Sequence, residues 1–367
     1  MTPVELSRTV LRAVRRAVDE GELRVAVPER VAVAPPGPGG CGEYATNVAL
    51  QLAGPAGRTP RHVAEVLRAR LLRAGGISDV VVTGPGFLNI SLRGAAPVAL
   101  VEEILRAVGT GDIPYGHLHE GSGERVLLHG AAEVRALVQV DALARILRSQ
   151  GVVVRTSCEV PASAPEWGAA LAVLGVVVDN AENTDNPGNT ENGGQCDAPR
   201  VDVRPVPAAD DPLPLGRDAA RWALLRPASH DRPRITGGHL VQRESNPLFR
   251  VRYAHARTRA LLRNAADLGF APEPGPVSVS GTQPLLAALA DHPRVLAAAA
   301  RHRAPDRLAR HLVTVADATQ PLLPTVLPLG EEKPSAAHRA RLALAEAAGT
   351  VLAGGLSLLG IDAPDHL

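Results

Sequence analysis

The sequence predicts a multidomain protein of α/β plus all-α class: an N-terminal α/β module, a reduced central β-α-β unit and a C-terminal helical bundle. Three observations lead there. Helical and strand patterns alternate through residues 1–93, a strand–helix–strand run of parallel type follows within 94–215, and helical periodicity dominates from 216 to 367. Aromatic residues make up only 2% of a chain that is 45% hydrophobic. Its cores must therefore be built from Leu, Val and Ala, and an aromatic outside an apolar stripe is unusually informative.

The opening "MTPVELSRTVLRAVRRAV" reads as a helix, with Thr2 as N-cap, Pro3 at the first helical position and Glu5 completing a capping box. Leu6, Val10, Val14 and Val18 recur at i+4 as its buried stripe. Arginines run through it and it has no apolar core, so it does not read as a signal peptide. No apolar run reaches membrane-span length, and a cytoplasmic protein is expected. After a Pro/Gly-rich loop, "YATNVALQLA" and "TPRHVAEVLRARLLRAGG" carry helical spacing, the second between a Thr-Pro cap and a Gly-Gly stop. "ISDVVVTGPGFLNISL" is a strand, a Gly-Pro-Gly turn and a strand.

In the middle, "APVALVEEILRAVG" is helical and "ERVLLHG" is a buried strand. "EVRALVQVDALARILRSQG" is a helix with a glycine stop, and "VVVRTSCEV" is a second strand, which favours parallel pairing across the helix. "LAVLGVVV" reads as a third strand. Asn then recurs at 180, 183, 186, 189 and 192 among turn-favouring residues, so 179–200 is expected to be a disordered linker. A calcium loop is the sharper reading of these Asp and Asn residues, but the EF-hand spacing is missing.

From 216 onward, "LGRDAARWALL", "NPLFRVRYAHARTRALLR", "PLLAALADHPRVLAAAARHR", "APDRLARHLVTVADAT" and "PSAAHRARLALAEAAGTVLAGGLSLLG" form a bundle. In the second of these, a turn of about 100° per residue puts Val251, Ala254, Thr258, Leu261, Leu262 and Ala265 on a core arc. The opposite face carries Phe249, Tyr253, Ala256 and Ala260, with Arg252, Arg259 and Arg263 on one side and Arg250 and Arg257 on the other. Aromatics between cations suit base stacking and phosphate contact, and equally suit packing on a neighbouring domain. His255, at the edge of the arc, is expected to be structural.

A net charge of +1 makes no general case for nucleic acid, although residues 221–263 hold ten Arg against Asp231 and Glu244. Lys333 is the sole lysine. Cys41, Cys158 and Cys196 lie far apart with no C-x-x-C, and His117 and His119 form a pair without a third ligand. Neither a disulfide framework nor a metal site is expected.

Taken together, "GEYATNVALQLAGPAGRTP" and "GPGFLNISL" resemble the N-terminal additional domain of class I arginyl-tRNA synthetases. "NPLFRVRYAHARTRALLR" and the closing "LALAEAAGTVLAGGLSLLGIDAPDHL" resemble that family's C-terminal DALR anticodon-binding domain. The resemblance implies a D-loop-reading domain at 1–93, a degenerate Rossmann-like catalytic remnant at 94–215 and an anticodon-binding helical domain at 216–367. It implies tRNA as the partner. Phe87 and Asn89 fall where the family stacks on and hydrogen-bonds a D-loop base, and Tyr44 and Asn47 are further candidates. Phe249, Arg250, Arg252, Tyr253, Arg257, Arg259 and Arg263 are candidates for tRNA or interdomain contact.

The middle departs from the family. In place of an H-x-G-H type signature the chain reads "GAAEVRAL", with Ala131 and Glu133, no paired histidines, and His129 standing alone. The flexible Lys/Ser loop that neutralises pyrophosphate is missing from "RPVPAADDPLPLGRDAARWALL". One electrostatic donor is commonly worth ~3–4 kcal/mol in a transition state, so losing both signatures predicts the loss of adenylation. The expectation is a monomeric, non-catalytic tRNA-binding paralogue with no catalytic residue and no cofactor. Two alternatives stay open: a divergent arginine–tRNA ligase still using ATP, and a protein-interaction subunit of a synthetase or biosynthetic complex.

Overall fold

The computed structural model describes residues 3–37, 40–92, 95–110, 113–118, 121, 123–160, 165–183, 198–277, 279 and 281–367. The chain divides into two units, Met1–Glu103 with Pro274–Asp291, and Ile104–Glu273 with His292–Leu367. Among the described residues no helix is long and apolar enough to cross a membrane.

In the first unit, α1 (Pro3–Asp19), α2 (Val48–Ala53) and α3 (Pro60–Leu71) pack with β1 (Tyr44–Thr46), β2 (Ile77–Thr83) and β3 (Phe87–Leu92). The sheet is antiparallel, in the order β1-β3-β2. Leu6, Val10 and Val14 of α1 join Val63 and Leu67 of α3, and Val80, Leu88 and Ile90 of the sheet, in one aliphatic core. Thr59 caps α3 by accepting from the His62 amide at 3.3 Å, with Pro60 following as the sequence signals. The expected cap Thr2 lies outside the described residues. "YATNVALQLA" is helical only from Val48; Tyr44–Thr46 pairs with β3 instead.

The second unit holds a parallel sheet in the order β6-β5-β4-β7, built from β4 (Arg125–Gly130), β5 (Val153–Val160), β6 (Asn180–Asn183) and β7 (Arg200–Val203). Helix α5 (Val134–Ser149) connects β4 to β5 and is buried along almost its whole length. A Cβ on Gly130 would lie 2.6 Å from a terminal methyl of Leu137 and 3.1 Å from Val140, so a larger residue here would force these α5 side chains to shift. Beyond the sheet, α7 (Gly216–Leu225), α8 (Pro247–Asp267), α10 (Pro305–Thr319) and α11 (Ala336–Leu358) form the helical part. Helices α4 (Ala95–Thr110) and α9 (Gln283–Arg301) run across the unit boundaries in sequence.

Two expectations fail here. "LAVLGVVV" is not a strand: its first residues close α6 (Pro165–Leu174), which stops at Gly175 with φ +62°. A short continuous apolar run fits helix or strand equally, and Pro165 at the helix start decides for helix. The third strand is β6, inside the segment expected as a linker, with Ser157 opposite Asn180 and Val160 opposite Asn183. At a sheet edge the ladder needs backbone groups rather than apolar side chains, so Asn180 and Asn183 can serve there. Strand β7 begins at Arg200, where the linker was expected to end. Asn186, Asn189, Asn192 and Cys196 lie outside the described residues.

Candidate nucleic-acid interface

In the first unit the turn before β3 sets the candidate site. Gly84 and Gly86 have φ of +54° and +152°. A Cβ on Gly86 would lie 2.9 Å from the Pro60 carbonyl oxygen, so only glycine fits against the start of α3. Phe87 follows, opposite Thr83 of β2 and beyond the last β1 partner, which faces Leu88. It is 41% exposed. Asn89 lies two residues further along, between Ala45 and Val81, and is 2% exposed. Its amide donates to Thr83 Oγ1 at 2.6 Å and to the Val81 carbonyl at 3.4 Å, so it ties β3 to β2. Tyr44 is buried in β1, while Asn47 is exposed before α2 and accepts from Gln51 Nε2 at 3.2 Å. Of these four residues, Phe87 and Asn47 reach solvent.

Helix α8 in the second unit starts at Asn246, whose side chain accepts from the Leu248 amide and donates to the carbonyls of His239 and Val241. Val251, Ala254, Thr258, Leu261 and Ala265 are buried as their spacing indicates, and α10 and α11 both pack on this helix. Two neighbours widen the arc, so Ala256, placed by periodicity on the outer face, is buried as well; Leu262 is only half-buried. His255 is buried and bonds the Pro364 carbonyl through Nδ1 at 3.0 Å. Burial presses its pKa below the ordinary histidine value, against that bond and Asp365.

Most of the α8 arginines are held by the protein itself. Arg250 bonds both carboxylate oxygens of Asp317 on α10 at 2.8 and 2.9 Å. Arg252 pairs with Asp218 on α7 at 3.0 Å, and Arg259 with Asp365 at 3.0 Å. Arg263 reaches the Asp365 carbonyl at 3.3 Å. Arg257 is exposed. Phe249 and Tyr253 stack with centroids 5.5 Å apart and line a cleft of about 630 Å³ with Gln242, Arg243, Arg250 and Gln320. Tyr253 is 38% exposed, and no strand of the central sheet lines this cleft. Phe249 also lines a second cleft with Leu215, Asp218 and Ala219.

The central sheet presents no exposed histidine pair at the end of β4. His129 is buried, with Nδ1 2.8 Å from Ser157 Oγ and Nε2 3.6 Å from the Glu159 carboxylate. Glu133 caps α5, accepting from the Ala136 amide at 2.8 Å. No motif in the sequence singles out Arg135. It is fully buried and donates to the carbonyls of Val206, Leu224, Pro227, Ala228 and Asp231. Burial lowers its pKa, opposed by Glu133, Asp231 and Asp306. Arg221 on α7, also fully buried, binds Asp141 of α5 and the carbonyls of Leu174 and Leu359. An arginine inside an apolar stripe was the only available signal for either residue. Among the described residues no cluster of His, Cys, Asp and Glu could hold a metal; His119 lies outside them.

The arginyl tRNA synthetase N terminal domain matches residues 5–92, and the DALR anticodon binding domain matches residues 251–367. Over its whole length the chain is 29% identical to the arginine–tRNA ligase of Frankia alni and 28% identical to that of Renibacterium salmoninarum, each covered completely. The chain belongs to the arginyl-tRNA synthetase family. The fold agrees with the solved arginyl-tRNA synthetase of Thermus thermophilus, at a TM-score of 0.71 and 14% identity with both chains fully covered. For the Plasmodium falciparum arginyl-tRNA synthetase the TM-score is 0.70 at 9% identity, covering 100% of this chain and 99% of the other. The alignments to the two bacterial ligases run over 559 positions against 367 residues here, so a large share of those positions has no residue in this synthetase-family chain.

Proposed function

We propose that this arginyl-tRNA synthetase-family protein binds tRNA without aminoacylating it. The N-terminus of α5 carries the reading. On a parallel α/β sheet, the loop after a central strand and the helix N-terminus beyond it are where nucleotide phosphates bind. Here the Glu133 carboxylate already accepts from that helix end, so an anion of the chain's own occupies the position. Residues 227–231 are tied to α5 by Arg135, and Ser229 bonds Gln139 further along the helix, at 3.2 Å. RNA-facing features persist outside this region: Phe87 stands exposed at the end of β3, and the Phe249–Tyr253 stack opens onto a cleft. The reading takes the chain as a cytoplasmic monomer.

Two assays test it. Arginine-dependent ATP–pyrophosphate exchange should be absent, and tRNA should bind with strong salt dependence at ~50 mM salt, where phosphate contacts are strongest. Exchange above background would overturn the non-catalytic half; absence of RNA binding would overturn the other. A second reading, a divergent arginine–tRNA ligase, draws support from the names of the full-length relatives. The same exchange assay decides for it.

A further inference from the structure

The solvent face of α1 is strongly basic. Arg8, Arg12, Arg15 and Arg16 lie on it, while Leu6, Val10 and Val14 are buried on the other side. Between α1 and the end of α3 runs a cleft of about 530 Å³, lined by Arg12, Arg16, Arg70 and Arg73 with Thr9 and Glu5. Its cations are held in place. Thr9 donates to the Glu5 carbonyl at 2.9 Å and accepts from Arg12 at 3.1 Å. Arg70, with a side chain 11% exposed, pairs with Glu20 at 2.7 Å and Glu22 at 2.9 Å. The Arg70 hydrogen bond holds the Glu20 carboxyl below its ordinary pKa, opposed by desolvation and aided by the charges of Arg70, Arg16 and Arg73. Glu20 and Glu22 are thus engaged by Arg70. Arg12, Arg16 and Arg73 line the cleft with no salt bridge to a carboxylate at contact distance among the described residues; Arg16 and Arg73 act on Glu20 only through their charge.

Position adds a second argument. Phe87 stands beside the start of α3, because Gly86 abuts Pro60; Arg70 and Arg73 stand at its other end. A helix of 12 residues is about 18 Å long at ~1.5 Å per residue. A single RNA strand can cover that distance with a few phosphates. The cleft lining contains no aromatic or large aliphatic anchor of the kind protein interfaces use, which favours a polyanion over an acidic protein.

We propose that the α1–α3 cleft is a second RNA contact, in which Arg12, Arg16 and Arg73 grip the phosphate backbone of the strand whose base rests on Phe87. The inference depends on the tRNA-binding reading above. Full-length protein is titrated with labelled bulk tRNA across a salt series, comparing wild type, the triple variant Arg12→Gln, Arg16→Gln, Arg73→Gln, and Phe87→Ala. The triple variant should bind more weakly, and the slope of log affinity against log salt should fall by roughly 2 to 3, since each of three phosphates no longer neutralised lowers it by about 0.7–0.9. Phe87→Ala should weaken binding and keep the slope. If the triple variant matches wild type in affinity and slope, the cleft assignment is wrong and the tRNA reading stands. If wild type binds no RNA, both are wrong. Circular dichroism melts check folding; Arg73→Gln alone, with the slope expected to drop by about 1, replaces the triple variant if that variant melts early.

Discussion

Phe87 and Asn89 share a strand and a family motif, yet the fold uses them differently. Phe87 lies past the end of β1 and keeps its ring in solvent, whereas Asn89 lies between β1 and β2 with its amide bonded inward. Phe87→Ala should leave the melting temperature unchanged and cost RNA binding about 1–3 kcal/mol, roughly 5- to 150-fold in affinity. Asn89→Ala should instead lower unfolding free energy by about 1–3 kcal/mol, read by urea denaturation, because buried partners are left unbonded. A stable Asn89→Ala protein with impaired RNA binding would contradict this division. Arg135 makes the sharpest case. Replacing it with Leu orphans several buried carbonyls at ~1–3 kcal/mol each, so a loss of about 3 kcal/mol or more is expected in the same assay. None of this was legible at the residue itself: Asn89 is buried by a strand about forty-five positions earlier, and the Arg135 partners lie between 206 and 231.

At the scale of elements, the periodicity of α8 fixed its core arc well, because one face of a helix maps directly onto spacing. It could not show that α10 and α11 flank the helix together, nor that Asp317, Asp218 and Asp365 would engage its arginines. A cation-rich helix in the sequence is thus largely an internally paired one in the fold. The helical region also buries histidines. His292 of α9 is pressed down to about 3, by burial first and then by His311 and His117, and it stacks against Tyr115 at 6.0 Å and His311 at 5.3 Å. The ordinary histidine pKa near 6.5 returns on unfolding. Between those two values the unfolded chain binds the extra proton, so stability is intact above pH ~6.5 and falls as pH drops below it, by up to about 1.4 kcal/mol per unit for each such histidine. His255, with its pKa also lowered, acts in the same direction. Urea midpoints measured from pH 7 down to pH 5 should decline in wild type and decline less in His292→Leu. Parallel curves would remove His292 from the account.

For the whole molecule, the fold class was readable because helical and strand periods alternate in the first two regions and the helical period dominates the third, and the departure from the family's catalytic signatures was readable because chemistry depends on residue type. The partition of the chain was not. Residues Pro274–Asp291 belong with the first unit although they lie within the helical third of the sequence, and β6 forms from asparagine-rich sequence that no apolar pattern marks. Among the described residues the central fold is a four-stranded parallel sheet whose helix α5 is capped by Glu133 and held by Arg135. On the non-catalytic reading such a sheet is kept as scaffold, since Arg221 and Asp141 join α5 to α7 and to the end of α11 independently of any ligand. Nucleotide linkage measures this directly. A retained ATP site at a hundredfold excess over its dissociation constant would add about 2.7 kcal/mol to stability, several degrees in melting temperature. With the helix end already filled by a carboxylate, ATP with arginine at millimolar concentration should produce no shift. A shift of several degrees would mean that Glu133 yields to phosphate, and the chain would then have to be treated as a nucleotide-binding synthetase.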